Sequence, residues 1–311
     1  MEQGGSESAR LRVKGAAGSL PSFLLARAAR SAKGPLVALT ADPEAATYLH
    51  SDLAEILGSS DLEVELFPPT GHHPYDRDQI AQAEPVMQRA DVLQALREGF
   101  DGLLVLSVDA LFERVPPPDA IDQESVTVKV GEQHDPDELV SWLVERDFER
   151  VEFVEHPGEV ALRGGILDVF PFTGAFPIRI DFFGDEVDGI REFDPESQRS
   201  VSSRSSARIV PDLEEITATT ERTSTPFAYL PDETPLAVFD EDRLGDRIEE
   251  LFEEAGQAYL DLREELEEDG EVPAAPRKRF VDREAFEQLI GGRPQLAFGV
   301  FSQEEGSTVE F

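Results

Sequence analysis

The sequence has no cysteine and only four lysines, Lys14, Lys33, Lys129 and Lys278, in 311 residues. The missing cysteine excludes disulfides, thiol catalysis and thiolate metal sites, and fits a reducing compartment. No run of eighteen or more apolar residues occurs, so nothing reads as a membrane-spanning helix. The N-terminal MEQGGSESAR has no apolar signal-peptide core, and a cytoplasmic location is expected. There is no catalytic triad, paired-acid cleft, intact dinucleotide loop or zinc spacing. No catalytic residue, metal or cofactor is therefore expected.

What the chain has in excess is acid. Sixty-five Asp and Glu against 28 Lys and Arg give a net charge of −37. Self-repulsion on this scale opposes the compact state unless salt screens it, and a high-salt, halophilic cytoplasm is the preferred explanation. An acidic tail or nucleic-acid mimic is the rival reading, but the acid is spread along the chain and not gathered in one block. The same balance argues against a grip on DNA phosphates, which takes clustered Lys and Arg, and against a basic single-strand groove.

The first hundred residues alternate strands with helices. Leu11–Val13, Pro35–Ala41 (PLVALTA), Leu62–Phe67 and Gly102–Ser107 (GLLVLS) read as strands. Pro21–Ala32, Glu44–Leu57 and Asp78–Arg97 read as helices. The order predicts right-handed βαβ units and a doubly wound parallel sheet. In the segment Phe67–Gln79, His72 and His73 invite a metal reading, but the ligand count is short and a structural loop is expected.

The turn after the first strand is where a phosphate-binding loop, GxxxxGK[ST], would sit. Here the first glycine, Gly15, and the final serine, Ser22, are kept, Gly18 and Ser19 fall at variable positions of the loop, and Leu20 stands in place of its second glycine. Pro21 stands in place of its lysine and also lacks an N–H donor. The pattern predicts a disabled nucleotide site. Further on, the strand Pro235–Phe239 ends in Asp240 and Glu241, where a magnesium-holding pair would lie. Without the lysine, an acidic helix start is the preferred reading. An acidic helix over Arg243–Glu268, a linker at Pro273–Arg279, a helix at Arg283–Ile290 and a strand at Gln295–Phe301 close the chain.

Between these α/β stretches lies a unit of different character: a strand at Ser125–Val130, a helix at Pro136–Arg146 with Trp142 in its core stripe, then a run of antiparallel strands. Val160–Phe170 reads as one run, with Gly164–Gly165 marking a bulge or a close backbone approach. Ile178–Phe183 is a second strand, and Gly184–Asp185–Glu186 turns into a third, Val187–Phe193. Strict alternation points Ile178, Ile180 and Phe182 to one face and Arg179, Asp181 and Phe183 to the other. An outward aromatic beside arginine is hot-spot composition, although a neighbouring element covering Phe183 would explain it equally simply.

These residues carry a resemblance. The runs RGGILDVFP (Arg163–Pro171) and PIRIDFFGDEVDGIREFDPESQRS (Pro177–Ser200) resemble the second domain of bacterial transcription-repair coupling factors, to which a domain of the excision-repair protein UvrB is related. The resemblance implies a UvrA-binding domain, with the contact carried by Arg163, Arg179 and Phe183 and extended by Arg191 and Phe193. The N-terminal stretch is similar to UvrB with its ATP machinery worn away, and a Pro-Tyr-Asp segment is also shared. The implied fold class is α/β: a degenerate P-loop, RecA/helicase-like parallel-sheet domain in two halves, 1–119 and 207–311, with an α+β domain inserted at 120–206. Coupling factors continue into an RNA-polymerase-binding domain and a translocase on double-stranded DNA, and their own C-terminal domain can cover the UvrA-binding face. The chain is thus expected to be an N-terminal fragment. A UvrB-like NTPase or damage-binding subunit is the alternative, and would need the intact phosphate loop and a damage-binding hairpin.

If the acidic surface is an adaptation to salt, the melting temperature should climb steeply as KCl rises from tens of millimolar to molar. A thermal melt followed by circular dichroism that is flat over this range would contradict that account.

Overall fold

The protein is described here by a computed structural model, which covers residues 10–76, 83–220, 222–266, 273–299 and 307–310. The helix start expected at Asp78, the Arg77–Gln79 end of the histidine loop, much of the acidic stretch Glu264–Glu271 and the strand end at Phe301 lie outside the described residues.

In chain order the elements are β1 (Arg10–Lys14), α1 (Leu20–Ser31), β2 (Leu36–Thr40), α2 (Pro43–Leu57), β3 (Glu63–Phe67), α3 (Ala83–Glu98), β4 (Gly102–Ser107) and α4 (Val108–Phe112). There follow α5 (Pro118–Gln123), β5 (Val126–Lys129), α6 (Pro136–Val144), β6 (Glu149–Arg150), β7 (Glu159–Arg163), β8 (Ile166–Val169), β9 (Ile178–Phe183) and β10 (Glu186–Phe193). The remainder are β11 (Ser200–Arg204), β12 (Ser206–Ile209), α7 (Leu213–Thr219), β13 (Leu236–Phe239), α8 (Glu241–Glu265), α9 (Pro276–Arg279), α10 (Arg283–Gly291), β14 (Gln295–Phe298) and β15 (Ser307–Glu310). Contacts divide the chain into two compact units. One comprises Met1–Pro85, Val92–Arg114 and Thr223–Phe311; the other comprises Val86–Asp91 and Val115–Arg222. No helix among the described residues is long and apolar enough to cross a membrane.

The first unit is a mixed α/β structure on a parallel sheet, in the order β15-β1-β14-β13-β2-β4-β3. Strands β2 and β4 are buried at every position, which is why they read as unbroken apolar runs. Helices α1 and α2 bury Leu25, Ala29, Leu49 and Leu53 against Ala38, Leu103 and Val105 of the sheet. The start of α2 follows from its sequence: the Asp42 carboxylate accepts the Ala45 N–H at 2.8 Å, and Pro43 occupies the first turn.

The second unit carries a six-stranded sheet, β11-β10-β9-β8-β7-β6, antiparallel except for the β6–β7 pair. A separate antiparallel pair joins β5 to β12. Strand β12 thus straddles the Ser206/Ala207 division drawn from the sequence, and the compact unit continues to Arg222. One sheet face packs on α6: Val160, Leu167, Ile180 and Ile190 meet Leu139, Val140 and Leu143, with Ile178 and Phe182 at the margin. The apolar trio of β9 therefore faces inward as its alternation requires.

The run Val160–Phe170 is not one strand. It is a hairpin in which Arg163 pairs with Ile166 across the two-residue turn Gly164–Gly165. Gly164 takes φ +61°, the positive value that the first position of a Gly-led hairpin turn needs. Gly165 permits the close approach: a Cβ there would lie 2.8 Å from the Phe182 carbonyl oxygen of β9. The β9–β10 turn repeats the device, with Gly184 at φ +64°.

Because the obstacle at Gly165 is a backbone carbonyl held in a three-strand ladder, Gly165→Ala should lower stability by about 1–3 kcal/mol. Chemical denaturation measures it, and an unchanged midpoint would show that the β8–β9 pairing yields without cost.

Candidate functional site

The second face of the sheet is built from rows that cross the strands in register. Ala161 of β7, Asp168 of β8, Arg179 of β9 and Arg191 of β10 form one row. Arg163, Ile166, Asp181 and Gly189 form the next. Two residues beyond Asp181 comes Phe183, at the hairpin end of the sheet.

Asp168 holds this face together. Its side chain is fully buried, a place where an ionised carboxylate is stable only if paired and hydrogen-bonded. Arg179 supplies a two-pronged contact, Nε to Oδ1 at 2.6 Å and Nη2 to Oδ2 at 2.8 Å. Arg163 adds Nη2 to Oδ2 at 2.6 Å. Two guanidiniums are thereby fixed by one carboxylate with the directional geometry that only arginine offers. The Arg179 pKa is raised above the ordinary arginine value, chiefly by the hydrogen bonds to Asp168. Arg179 also donates to Gln198 Oε1 at 2.9 Å and lies 4.2 Å over the Phe193 ring. Arg163 is further tied to the Glu152 carbonyl and lies 4.6 Å over the Phe153 ring.

The structure sorts the five residues expected on this face. Phe183 is 83% exposed, so no neighbouring element among the described residues covers it. Arg163 and Arg191 keep about a third of their side-chain surface in solvent, and Arg191 pairs with Asp181 at 2.9 Å. Arg179 keeps 15%. Phe193 is a correction: it is fully buried, in a small cluster with Val154, Ala161 and Phe170. It supports Arg179 from below and offers no surface of its own. Alternation places Phe193 on the same face as Arg191, as expected, but Val154 and Phe170 and the partly buried Met87 and Val151 pack over that end of the face and close it off. Asp168 and Phe153 were not singled out from the sequence. Asp168 was legible in principle, as an acid alternating with Leu167 and Val169 in a buried strand, where it must find a cation. The position of Phe153 comes from a loop and left no periodic signal. Arg204 and Arg208, read as surface charges, pair with Glu192 at 2.7 Å and Asp122 at 2.9 Å.

The second candidate site lies in the first unit, at the carboxyl ends of β2 and β13. A cleft of about 310 Å³ is lined there by Gly18, Pro21, Ser22, Asp42, Tyr48 and Asp240 among others. Gly15 and Gly18 have φ of +74° and +60°, and Ser19 precedes the first turn of α1 without a side-chain cap. The loop spends donors on itself: Leu20 N–H reaches the Ala17 carbonyl at 3.4 Å. Ser22 is buried, and its hydroxyl donates to Asp52 at 3.0 Å. Asp240 sits in the left-handed region, φ +53°, and Glu241 is paired with Arg10.

Two comparisons bear on these sites. Residues 126–214 match the family described as the UvrB interaction domain. The chain is also similar to transcription-repair-coupling factors: 34% identical over 201 residues to that of Bacillus subtilis, and 35% over 207 residues to that of Myxococcus xanthus. These alignments cover 64% and 65% of this chain and 17% of each relative. The factor of Haemophilus influenzae is 34% identical over 175 residues, 56% of this chain and 15% of its own length. The chain thus spans about a sixth of the relatives it matches, and the resemblance to the N-terminal region of transcription-repair coupling factors is borne out.

Truncation at these positions should separate clamp from contact. Arg179→Ala leaves the buried Asp168 carboxylate with one cation in place of two, and should cost about 1–3 kcal/mol of stability. Phe183→Ala removes an exposed ring and should stay within about 0.5 kcal/mol of the parent. Arg179 is thus corrected from a purely external contact to one that also supports the fold. Equal losses in urea denaturation would refute the distinction.

Proposed function

We propose that this chain recruits UvrA through the outer sheet face of its second unit, as the N-terminal module of a transcription-repair coupling factor. The observation that carries the reading is Phe183, an almost bare aromatic ring beside arginines held by a buried carboxylate, within the segment that matches the UvrB interaction domain. An exposed apolar anchor beside pre-positioned arginines suits a partner surface with an apolar pocket rimmed by carboxylates. The arginines lose little freedom on binding because Asp168 has already fixed them. Arg163, Arg179, Phe183 and Arg191 are the proposed contacts.

The wider reading follows from the same resemblance. The stretches read from the sequence as 1–119 and 207–311 would be two halves of a degenerate P-loop, RecA/helicase-like domain around an insert read as 120–206, with the insert's compact unit reaching Arg222. The intact cytoplasmic factor would add RNA polymerase, double-stranded DNA and its own C-terminal domain as partners, and the ATP-driven translocase would lie outside this chain. The loop supports the absence of ATP hydrolysis here: the lysine is replaced by Pro21, and Ser22 is engaged with Asp52. Asp42, Asp52 and Asp240 line the cleft opposite a single Arg243, a charge balance that repels a triphosphate.

Two measurements test this. The intact chain should bind UvrA from the same source, and Phe183→Ala should lose at least about 2 kcal/mol of binding energy without loss of fold. Parent-like affinity in Phe183→Ala would move the interface elsewhere. Calorimetry with ATP and magnesium should show no binding in the micromolar range, and a micromolar isotherm abolished by changes at Asp240 or Ser22 would reverse the reading of the first unit.

A further inference from the structure

Three of the large exposed apolar side chains surround one arginine. Ile166, 36% exposed, is the cross-strand partner of Arg163 and pairs with Asp181 on its other side. Phe183 lies two residues beyond Asp181 and is 83% exposed. Phe153, 52% exposed, comes from the segment between β6 and β7 and lies under the Arg163 guanidinium, 4.6 Å from its carbon to the ring centroid. The Glu152 carbonyl accepts from Arg163 Nη1, so the segment holds that arginine at two points. Arg163 is thus fixed by a carboxylate, a carbonyl and a ring, with exposed apolar surface on both sides.

An exposed phenylalanine is unremarkable alone, because much of any surface is apolar. Its placement is what matters. Phe153 meets Arg163 of β7 and Phe183 belongs to β9, and the axes of these two strands are about 10 Å apart, two strand spacings, a distance one partner surface spans. Buried aromatics flanking a desolvated arginine are the usual centre of a tight interface. A cation over a ring strengthens when the pair is removed from water.

We propose that Phe153 is a second aromatic anchor for UvrA, acting directly by its own burial and indirectly by holding Arg163. This rests on the UvrA-binding reading above and extends the contact to a loop outside the β7–β10 strands.

The test is affinity of the intact chain for UvrA, by calorimetry, with thermal melts as folding controls. Phe153→Ala should weaken binding about tenfold or more, and Phe153→Tyr, which keeps the ring, should remain within about twofold of the parent. In a double-mutant cycle Phe153→Ala should couple to Arg163→Ala and add simply to Phe183→Ala. Because the chain has no cysteine, Phe153→Cys also accepts a single environment-sensitive fluorophore, whose emission should shift to the blue on UvrA addition. Parent-like affinity in Phe153→Ala beside weakened Phe183→Ala overturns this inference alone. So does an unshifted fluorophore on a chain that still binds. No UvrA binding by the parent, or parent-like affinity in Phe183→Ala and Arg163→Ala, overturns the proposed function and this inference with it.

Discussion

A buried carboxylate shared by two arginines organises the second unit. Asp168 has no access to water, and the three short hydrogen bonds it accepts are what make its charge tolerable there. The requirement runs outward from that point. Arg179 must lie flat across β9 to present Nε and Nη2 together, so the Phe193 ring fills the space beneath it. Arg163 must turn back toward β8, so the segment carrying Glu152 and Phe153 closes over it. What remains exposed on this face includes Phe183, Phe153, the edge of Ile166 and the outer parts of Arg163 and Arg191. In the proposed function the internal clamp thus creates the external surface.

The first unit presents the contrary case, in which polar groups have been turned inward or against one another. Ser22 is committed to Asp52, Glu241 to Arg10, and Leu20 N–H to its own loop. A cleft persists at the carboxyl ends of parallel strands, where such sheets place ligands. The Leu20 N–H and the Ser22 hydroxyl are engaged within the unit, and the lining is acidic. This supports a scaffold role for the unit, and it sits well with a chain of −37 charge that has placed its arginines in ion pairs.

Much of this was legible in the sequence because it depends on period. The apolar runs of β2 and β4 and the alternation of β9 gave strand and face correctly, whereas the exposure of Phe183, left open by alternation, came from the structure. Where the pattern is local geometry it misled. Gly164–Gly165 reads as an irregularity within one strand, yet it is a hairpin turn, because a two-residue Gly loop and a bulge leave the same trace. Phe193 follows Arg191 by two and shares its face, yet the cluster with Val154 and Phe170, distant in sequence, buries it. The roles of Asp168 and Phe153 depend on cross-strand neighbours far apart in sequence, which no window along the chain contains. The resemblance to coupling factors pointed to Arg163, Arg179 and Phe183; their division into a carboxylate-held pair and an exposed ring came from the structure.

The most direct measurement of the central claim is amide hydrogen exchange on the intact chain, alone and with saturating UvrA. The account predicts added protection in β7–β9, at the Gly184–Asp185 turn and over residues 151–153, with the parallel-sheet unit unchanged. Protection confined to that unit, with the turn after Phe183 exchanging as freely as before, would contradict it.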